Sequence, residues 1–246
     1  MAHGKARVLF ICTANVARSA AMELVLREAL GPETSVAISS AGTRAIEGSP
    51  VHAYMQQELA RRGISSEGFM AHRLQTDLLE RADLIITASR RHGAAAARLV
   101  PGARRRMFTL LQLQRLLAEL PDAEPPAGSA NAAAALAALA SPVRGQSTRS
   151  LARDDISDPV GGGHRAFRAA LNAIVPAAQA LAQALSRAES RLDEQRANHH
   201  FEIAPDPELP DPGGLDAETL DTEDLDTADL EAEILEPAIS PTAKAS

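Results

Sequence analysis

Cys12, Arg18 and Ser19 bound one short stretch, CTANVARS, whose residue types and spacing suit attack on an electrophilic phosphorus. A free thiol of pKa about 8.5 is only a few per cent ionised at neutral pH, whereas thiols at helix N-termini or beside cations fall to roughly 3.5–7.5. Backbone N–H groups of a tight turn at a helix start point inward and form a nest for an oxyanion, with the helix dipole adding to the pull. A cysteine at the head of such a nest makes nucleophile and anion site coincide. Arg18 can curl back over the loop and clamp two phosphoryl oxygens through its planar fork, which Lys does not copy. Ser19 is placed to donate its hydroxyl to the sulfur, and Asn15 suits a left-handed turn because Asn tolerates positive φ. A cysteine at a strand end is ordinarily a small buried hydrophobe. The combination with Arg18 and Ser19 is what points to chemistry.

A second candidate lies in the carboxylate-rich stretch DDISDPVGGG. Pro159 forces Asp158 toward an extended conformation, and the glycines after it let the chain turn sharply into a helix. A carboxyl held over the anion site could protonate a leaving oxygen and then activate water against a cysteinyl-phosphate. Asp154 and Asp155 read as a solvated preamble. Three carboxylates on one loop are also what an ordinary turn-rich surface carries.

These groups need elements to position them, and the chain supplies alternating strands and helices. Residues 8–11 form an apolar strand into Cys12, and residues 20–30 a helix stopped by Gly31-Pro32. Residues 36–40 read as a second strand, parallel to the first through a right-handed crossover. A helix over 50–62 closes at Gly63, a short helix covers 78–82, and 83–88 is a buried strand by its β-branched run. Residues 90–99 are helical, 106–109 a fourth strand and 110–120 a helix. Residues 164–191 form a long Ala-rich helix with Phe167, Leu171, Ile174, Leu181 and Leu185 near one face and a kink expected at Pro176. The pattern predicts an α/β fold with a doubly wound, mostly four-stranded parallel sheet and helices on both faces. Ligands of such sheets bind outside the carboxyl ends of the strands, where the loop after Ile11 would lie.

The domain is expected to span residues 1–196, with an Ala/Pro-rich flexible insertion at about 121–149 that could act as a flap. Residues 197–246 read as an acidic, disordered tail in which Leu215, Leu220, Leu225, Leu230 and Leu235 recur every five residues. Residues 204–246 hold thirteen acids against one Lys, a net of −12, which leaves +5 on the rest of a chain of net charge −7. A mildly basic body suits an anionic substrate, and the tail offers a protein contact.

Composition excludes several classes. Aromatics are 2% of residues, too few for single-strand stacking platforms, so no nucleic-acid partner is expected. No apolar run in the sequence approaches the ~18 residues of a membrane span, and MAHGKAR leads straight into a strand without a signal-peptide core, so the reading is cytoplasmic. The single cysteine allows neither an internal disulfide nor a multi-cysteine metal cluster. His199 and His200 pair with no further ligand, so no metal and no cofactor is expected. His164 at a helix start reads as structural.

The stretch CTANVARS resembles the C-x5-R-S signature of the low-molecular-weight protein tyrosine phosphatases. Further matches follow in order: Ser40-Ala41-Gly42-Thr43 is similar to that family's S-A-G-T segment, with Gly48 and Pro50 behind it, Asp83-Leu84-Ile85 to the start of its central strand, and Asp158-Pro159 to its D-P. The resemblance covers roughly residues 5–185. It implies a metal-independent phosphomonoesterase with Cys12 as nucleophile, Arg18 as clamp and Asp158 as acid and then base. Thr13, Ala14, Asn15, Val16, Ala17 and Ser19 would bind substrate with Ser40, and the substrate would be a phosphorylated protein or a small phosphomonoester. His72 lies where the family often has a hydrogen-bonding His, but its register leaves that role unassigned.

The departures are specific. Ala14 stands for the usual loop Gly, costing about 1 kcal/mol if that residue needs positive φ. Ala17 stands for a second loop Cys and Ala20 for Pro. Ile46 and Val160 stand where aromatics commonly wall a phenyl ring, which removes stacking worth roughly 0.5–1.5 kcal/mol per pair. An arsenate reductase using an external small thiol and a non-catalytic phosphate- or phosphopeptide-binding module remain the alternative readings. Binding alone would need neither Cys12 nor Asp158.

Overall fold

The computed structural model describes residues 5–120, 123–144 and 154–202. The acidic tail beyond residue 202 with its leucine repeat, the side chains of 199–202 and parts of the expected insertion lie outside the described residues. Elements run in the order β1 (Arg7–Cys12), α1 (Arg18–Leu30), β2 (Ala37–Gly42), α2 (Ala53–Ala60), α3 (Thr76–Arg81), β3 (Leu84–Thr87) and α4 (Arg90–Leu99). A 3₁₀ turn at Pro101–Arg106, β4 (Met107–Thr109), α5 (Leu110–Ala118), α6 (Ala132–Val143) and α7 (Gly163–Glu202) follow.

The four strands form one parallel sheet in the order β2-β1-β3-β4. Alternation along β1 explains why it reads as a continuous apolar run. Val8, Phe10 and Cys12 belong to a core with residues of α1, α5, α6 and α7. Leu9 and Ile11 belong to a second core with Leu79 of α3, Ile85 and Ala96 of α4. A strand covered on both faces has no polar side to show.

Helix α7 carries Phe167, Leu171, Ile174, Ala178, Leu181, Leu185, Ala188 and Leu192 buried at spacings of three and four, one stripe of an amphipathic helix. It continues through Pro176 and runs past the expected end at 191. By length and composition it could cross a membrane, but half of the apolar window is buried within the fold. It packs on α1, α2, α5 and α6. Glu58 of α2, buried at 1% exposure, joins α2 to this helix by meeting Arg61 at 2.5 Å and Arg168 of α7 at 3.3 Å.

The expected flexible insertion contains a packed helix instead. Ala132, Ala133, Leu136, Ala137 and Ala140 of α6 are buried, and Asn131 caps the helix by accepting from the Ala134 amide at 3.0 Å. Alanines on both α6 and α7 let the two helices approach closely, and Pro142 falls one residue before the helix ends at Val143. Helix α2 also starts later than expected. Residues 50–52 are drawn off to the loop after β1: the His52 amide donates to the Val16 carbonyl at 2.7 Å, and the His52 ring accepts from the Tyr54 amide.

Candidate active site

The loop between β1 and α1 is fixed from outside by its carbonyls. Those of Cys12, Thr13 and Val16 accept from the amides of Thr43, Arg44 and His52 at 3.0, 2.8 and 2.7 Å. Carbonyls held outward leave the loop's N–H groups to face the other way, and no side chain caps the start of α1. Gly42 makes this possible. A Cβ there would stand 2.6 Å from the Thr13 oxygen, 2.8 Å from the Asn15 nitrogen and 2.9 Å from the Ala14 carbonyl carbon.

Asn15 is the hub of the loop. It adopts φ 58°, the one positive φ among the described non-glycine residues, as its type suggested. Ala14 does not share that conformation, so the strain expected from its missing glycine does not arise. The fully buried Asn15 amide donates to Ser19 Oγ at 2.9 Å and Ser40 Oγ at 2.7 Å, and accepts from the His72 backbone N–H at 2.8 Å. Ser19 Oγ in turn donates to Cys12 Sγ at 3.0 Å, and the Asn15 backbone N–H lies 3.3 Å from the same sulfur. Two donors are thus aimed at the sulfur.

Arg18 is 4% exposed, with Nη1 on the Ile156 carbonyl at 3.1 Å and Nη2 on Asp158 Oδ2 at 2.6 Å. Its Nε is buried and has no partner among the described residues, so that N–H is open to an oxyanion. The Asp158 side chain is 45% exposed. Its loop is anchored at the base: the Ile156 amide donates to Ala88 at 2.9 Å, and Gly161, at φ 88°, turns the chain toward α7.

Several expectations need correction. Ser40 does not line the anion side, because its hydroxyl is shared between Asn15 and a short contact to Glu23, so it supports the loop from behind. Asp154 and Asp155 are not a solvated preamble. Asp154 is 4% exposed and meets Arg115 at 3.2 Å, while Asp155 accepts from the Arg90 amide at 2.8 Å and faces its guanidinium. Thr13, Ala14, Val16 and Ala17 lie in the loop between β1 and α1, and the Thr13 hydroxyl is taken by His92. Ile46 and Val160 are 78% and 57% exposed, aliphatic surfaces at the positions where aromatics were expected to be missing.

Two supporting residues escaped sequence reasoning. Glu23 of α1 is buried, which raises its carboxyl above the usual range against the Ser40 hydroxyl and Arg27, the latter at 2.6 Å. His92 of α4 is 2% exposed, with Nε2 2.9 Å from Thr13 Oγ1 and Nδ1 2.8 Å from Ser89 Oγ. Burial, with the charges of Arg18 and Arg91, pushes its ring down to about 4, so it is neutral at pH 7. Spacing offers a faint signal for Glu23, four residues after Ser19 and so on the same helical face. Nothing in the sequence singles out His92. The ring of His164 lies tilted against that of Tyr54, centroids 4.1 Å apart, and the exposed His72 ring meets Glu47 at 3.3 Å.

Comparison with known proteins gives one family model that matches, described as low molecular weight phosphotyrosine protein phosphatase, over residues 7–135. The chain is 31% identical over 97 residues to the low molecular weight protein-tyrosine-phosphatase Etp of Escherichia coli K12, covering 39% of this chain and 64% of that protein. The match thus spans less than two thirds of that relative's length. Among solved structures, the tyrosine phosphatase AmsI of Erwinia amylovora superposes with a TM-score of 0.55 at 21% identity, covering 75% of this chain and 95% of its own. Vibrio vulnificus Wzb, solved with benzylphosphonate, gives 0.52 at 26% identity, covering 73% and 99%.

Proposed function

Because the chain belongs to the low molecular weight phosphotyrosine protein phosphatase family, we propose that it hydrolyses phosphomonoesters through a covalent cysteinyl-phosphate. The observation that carries this reading is the sulfur of Cys12, held by Ser19 Oγ and the Asn15 amide, in a loop whose arginine is joined to Asp158 at 2.6 Å. Nucleophile and clamp come from one short loop, and the carboxylate that would serve as acid is joined to that loop across 140 residues of sequence.

In the proposed cycle the loop amides and Arg18 hold the three non-bridging oxygens. The Cys12 thiolate attacks phosphorus, the P–O bond to the leaving group breaks, and protonated Asp158 delivers its proton to that oxygen. The carboxylate then takes a proton from water as its oxygen attacks phosphorus. The S–P bond breaks, and inorganic phosphate and the thiolate are released. Ser19 keeps its hydrogen bond on the sulfur through both steps, where charge leaves and returns.

The family name and the benzylphosphonate held by Wzb favour an aryl phosphate, such as phosphotyrosine in a protein. The aliphatic Ile46 and Val160 supply apolar contact without ring stacking, so the expected preference for aryl over alkyl esters is modest. The test is phosphate release from an aryl phosphate in EDTA, beside Cys12→Ser and Asp158→Ala. Turnover lost in the first and cut by roughly 10²–10⁴ in the second supports the mechanism. Full activity of Cys12→Ser would refute it.

A further inference from the structure

A basic concavity lies apart from the catalytic loop. A cavity of about 430 Å³ opens between α4 and β4, with the first turn of α5 and the end of α6 at its edge. Arg90, Arg98, Arg104 and Arg144 line it, and no carboxylate does. On its α4 side Ala94, Ala97 and Met107 supply apolar surface, while Phe108, the next residue of the strand, faces the opposite core and is covered by Arg144.

The charges here lack compensation. Arg144 lies 4.0 Å over the Phe108 ring and donates to the backbone carbonyls of Arg104 and Arg105 at 3.0 and 3.3 Å. Its Nε is buried without a partner among the described residues. Burial and the like charge of Arg104 lower its proton affinity below that usual for a guanidinium. Arg98 and Arg104 have no carboxylate partner among the described residues, and only Arg90 is paired, with Asp155. Like charges gathered around one cavity repel one another, and an anion placed among them converts that repulsion to attraction.

We propose that this cavity is a second ligand site, which takes a phosphate-bearing small molecule. The phosphoryl group sits among Arg98, Arg104 and Arg144, and the uncharged part lies against Ala94, Ala97 and Met107. The volume falls within the roughly 300–1,000 Å³ usual for small-molecule sites. Walls of helix on one side and strand on the other suit a compact ligand better than an extended acidic peptide. The site is separate from Cys12, because β4 lies two strand positions from β1, roughly 10 Å across the sheet. It is also connected to it: Arg90 lines the cavity and grips Asp155, three residues before Asp158.

The test uses the full chain carrying Arg18→Ala, which removes the catalytic clamp and keeps the result independent of whether the phosphatase reading holds. AMP, inorganic phosphate and an octaglutamate peptide are titrated by calorimetry into this protein and into two further variants built on it. Arg98→Ala/Arg104→Ala removes two exposed charges, and Ala97→Leu fills the cavity without changing charge. Saturable AMP binding is expected, tighter than that of inorganic phosphate and weakened at least tenfold by either change. Absence of AMP binding, or binding indifferent to both changes, overturns the proposal. Tighter binding of octaglutamate than of AMP overturns it in favour of a protein-docking face.

Discussion

Gly42→Ala is the substitution whose effect can be worked most directly from the geometry. The added methyl would stand 2.6–2.9 Å from three backbone atoms of the catalytic loop, at Thr13, Ala14 and Asn15. Favourable contacts to carbon lie near 3.5–4.0 Å, so loop and strand must separate by roughly 0.5–1 Å. The loop cannot swing away freely, because Asn15 is held by buried bonds to Ser19, Ser40 and His72. Overpacking of this kind costs about 1–3 kcal/mol, or about 3–10 °C in Tm for a chain of this size. A displacement approaching 1 Å in the oxyanion cradle is worth up to about 10² in rate. The assay is kcat/KM on an aryl phosphate together with orthovanadate inhibition and a melting curve. Gly102→Ala, where the new methyl meets nothing within 4 Å, is the control. Unchanged kcat/KM and vanadate affinity in Gly42→Ala would refute the claim that close approach of this strand end shapes the cradle.

Two further outcomes follow from the supporting groups. His92 titrates near 4 when folded against 6.5 as a free side chain, so between those pH values the unfolded chain binds the extra proton and stability falls as pH falls. Roughly 2–3 kcal/mol should be lost from pH 7 to pH 4 through this group, read as a steeper urea-unfolding profile than that of His92→Gln; parallel profiles would count against it. Asn15→Ala strands the hydroxyls and amide it now serves and keeps a Cβ at φ 58° without the amide that lets Asn tolerate it. It should cost roughly 3–5 kcal/mol, of which Asn15→Gly recovers about 1 through the backbone alone; equal stability of the two variants in denaturant would show the backbone strain to be negligible.

The sheet was legible because both of its faces are covered, so β1 and β3 appear as apolar runs, and Gly31 and Gly63 mark where the helices between them stop. Cys12, Asn15, Arg18 and Asp158 were legible because each has a residue type and a neighbour that serve one chemistry. Glu23 was hidden for the opposite reason. A glutamate on a helix ordinarily faces water, and only the crossing of α1 over β2 brings it against Ser40. Asp154 and Asp155 were misread likewise, since their partners Arg115 and Arg90 lie 39 and 65 residues away. Helix α6 was obscured by its composition: alanine declares no buried face, and the adjacent prolines suggested a breaker where the fold needed only thin side chains.

The ion pair between Arg18 and Asp158 also bears on how quickly the catalyst can be reused. A guanidinium already engaged by a carboxylate gives an incoming oxyanion an exchange of partners rather than a bare cation, so part of the attraction is cancelled on arrival. The same cancellation works in reverse when inorganic phosphate departs, because the carboxylate is at hand to take its place. Tight retention of product is thereby discouraged by the residue that, in the proposed cycle, moves the proton.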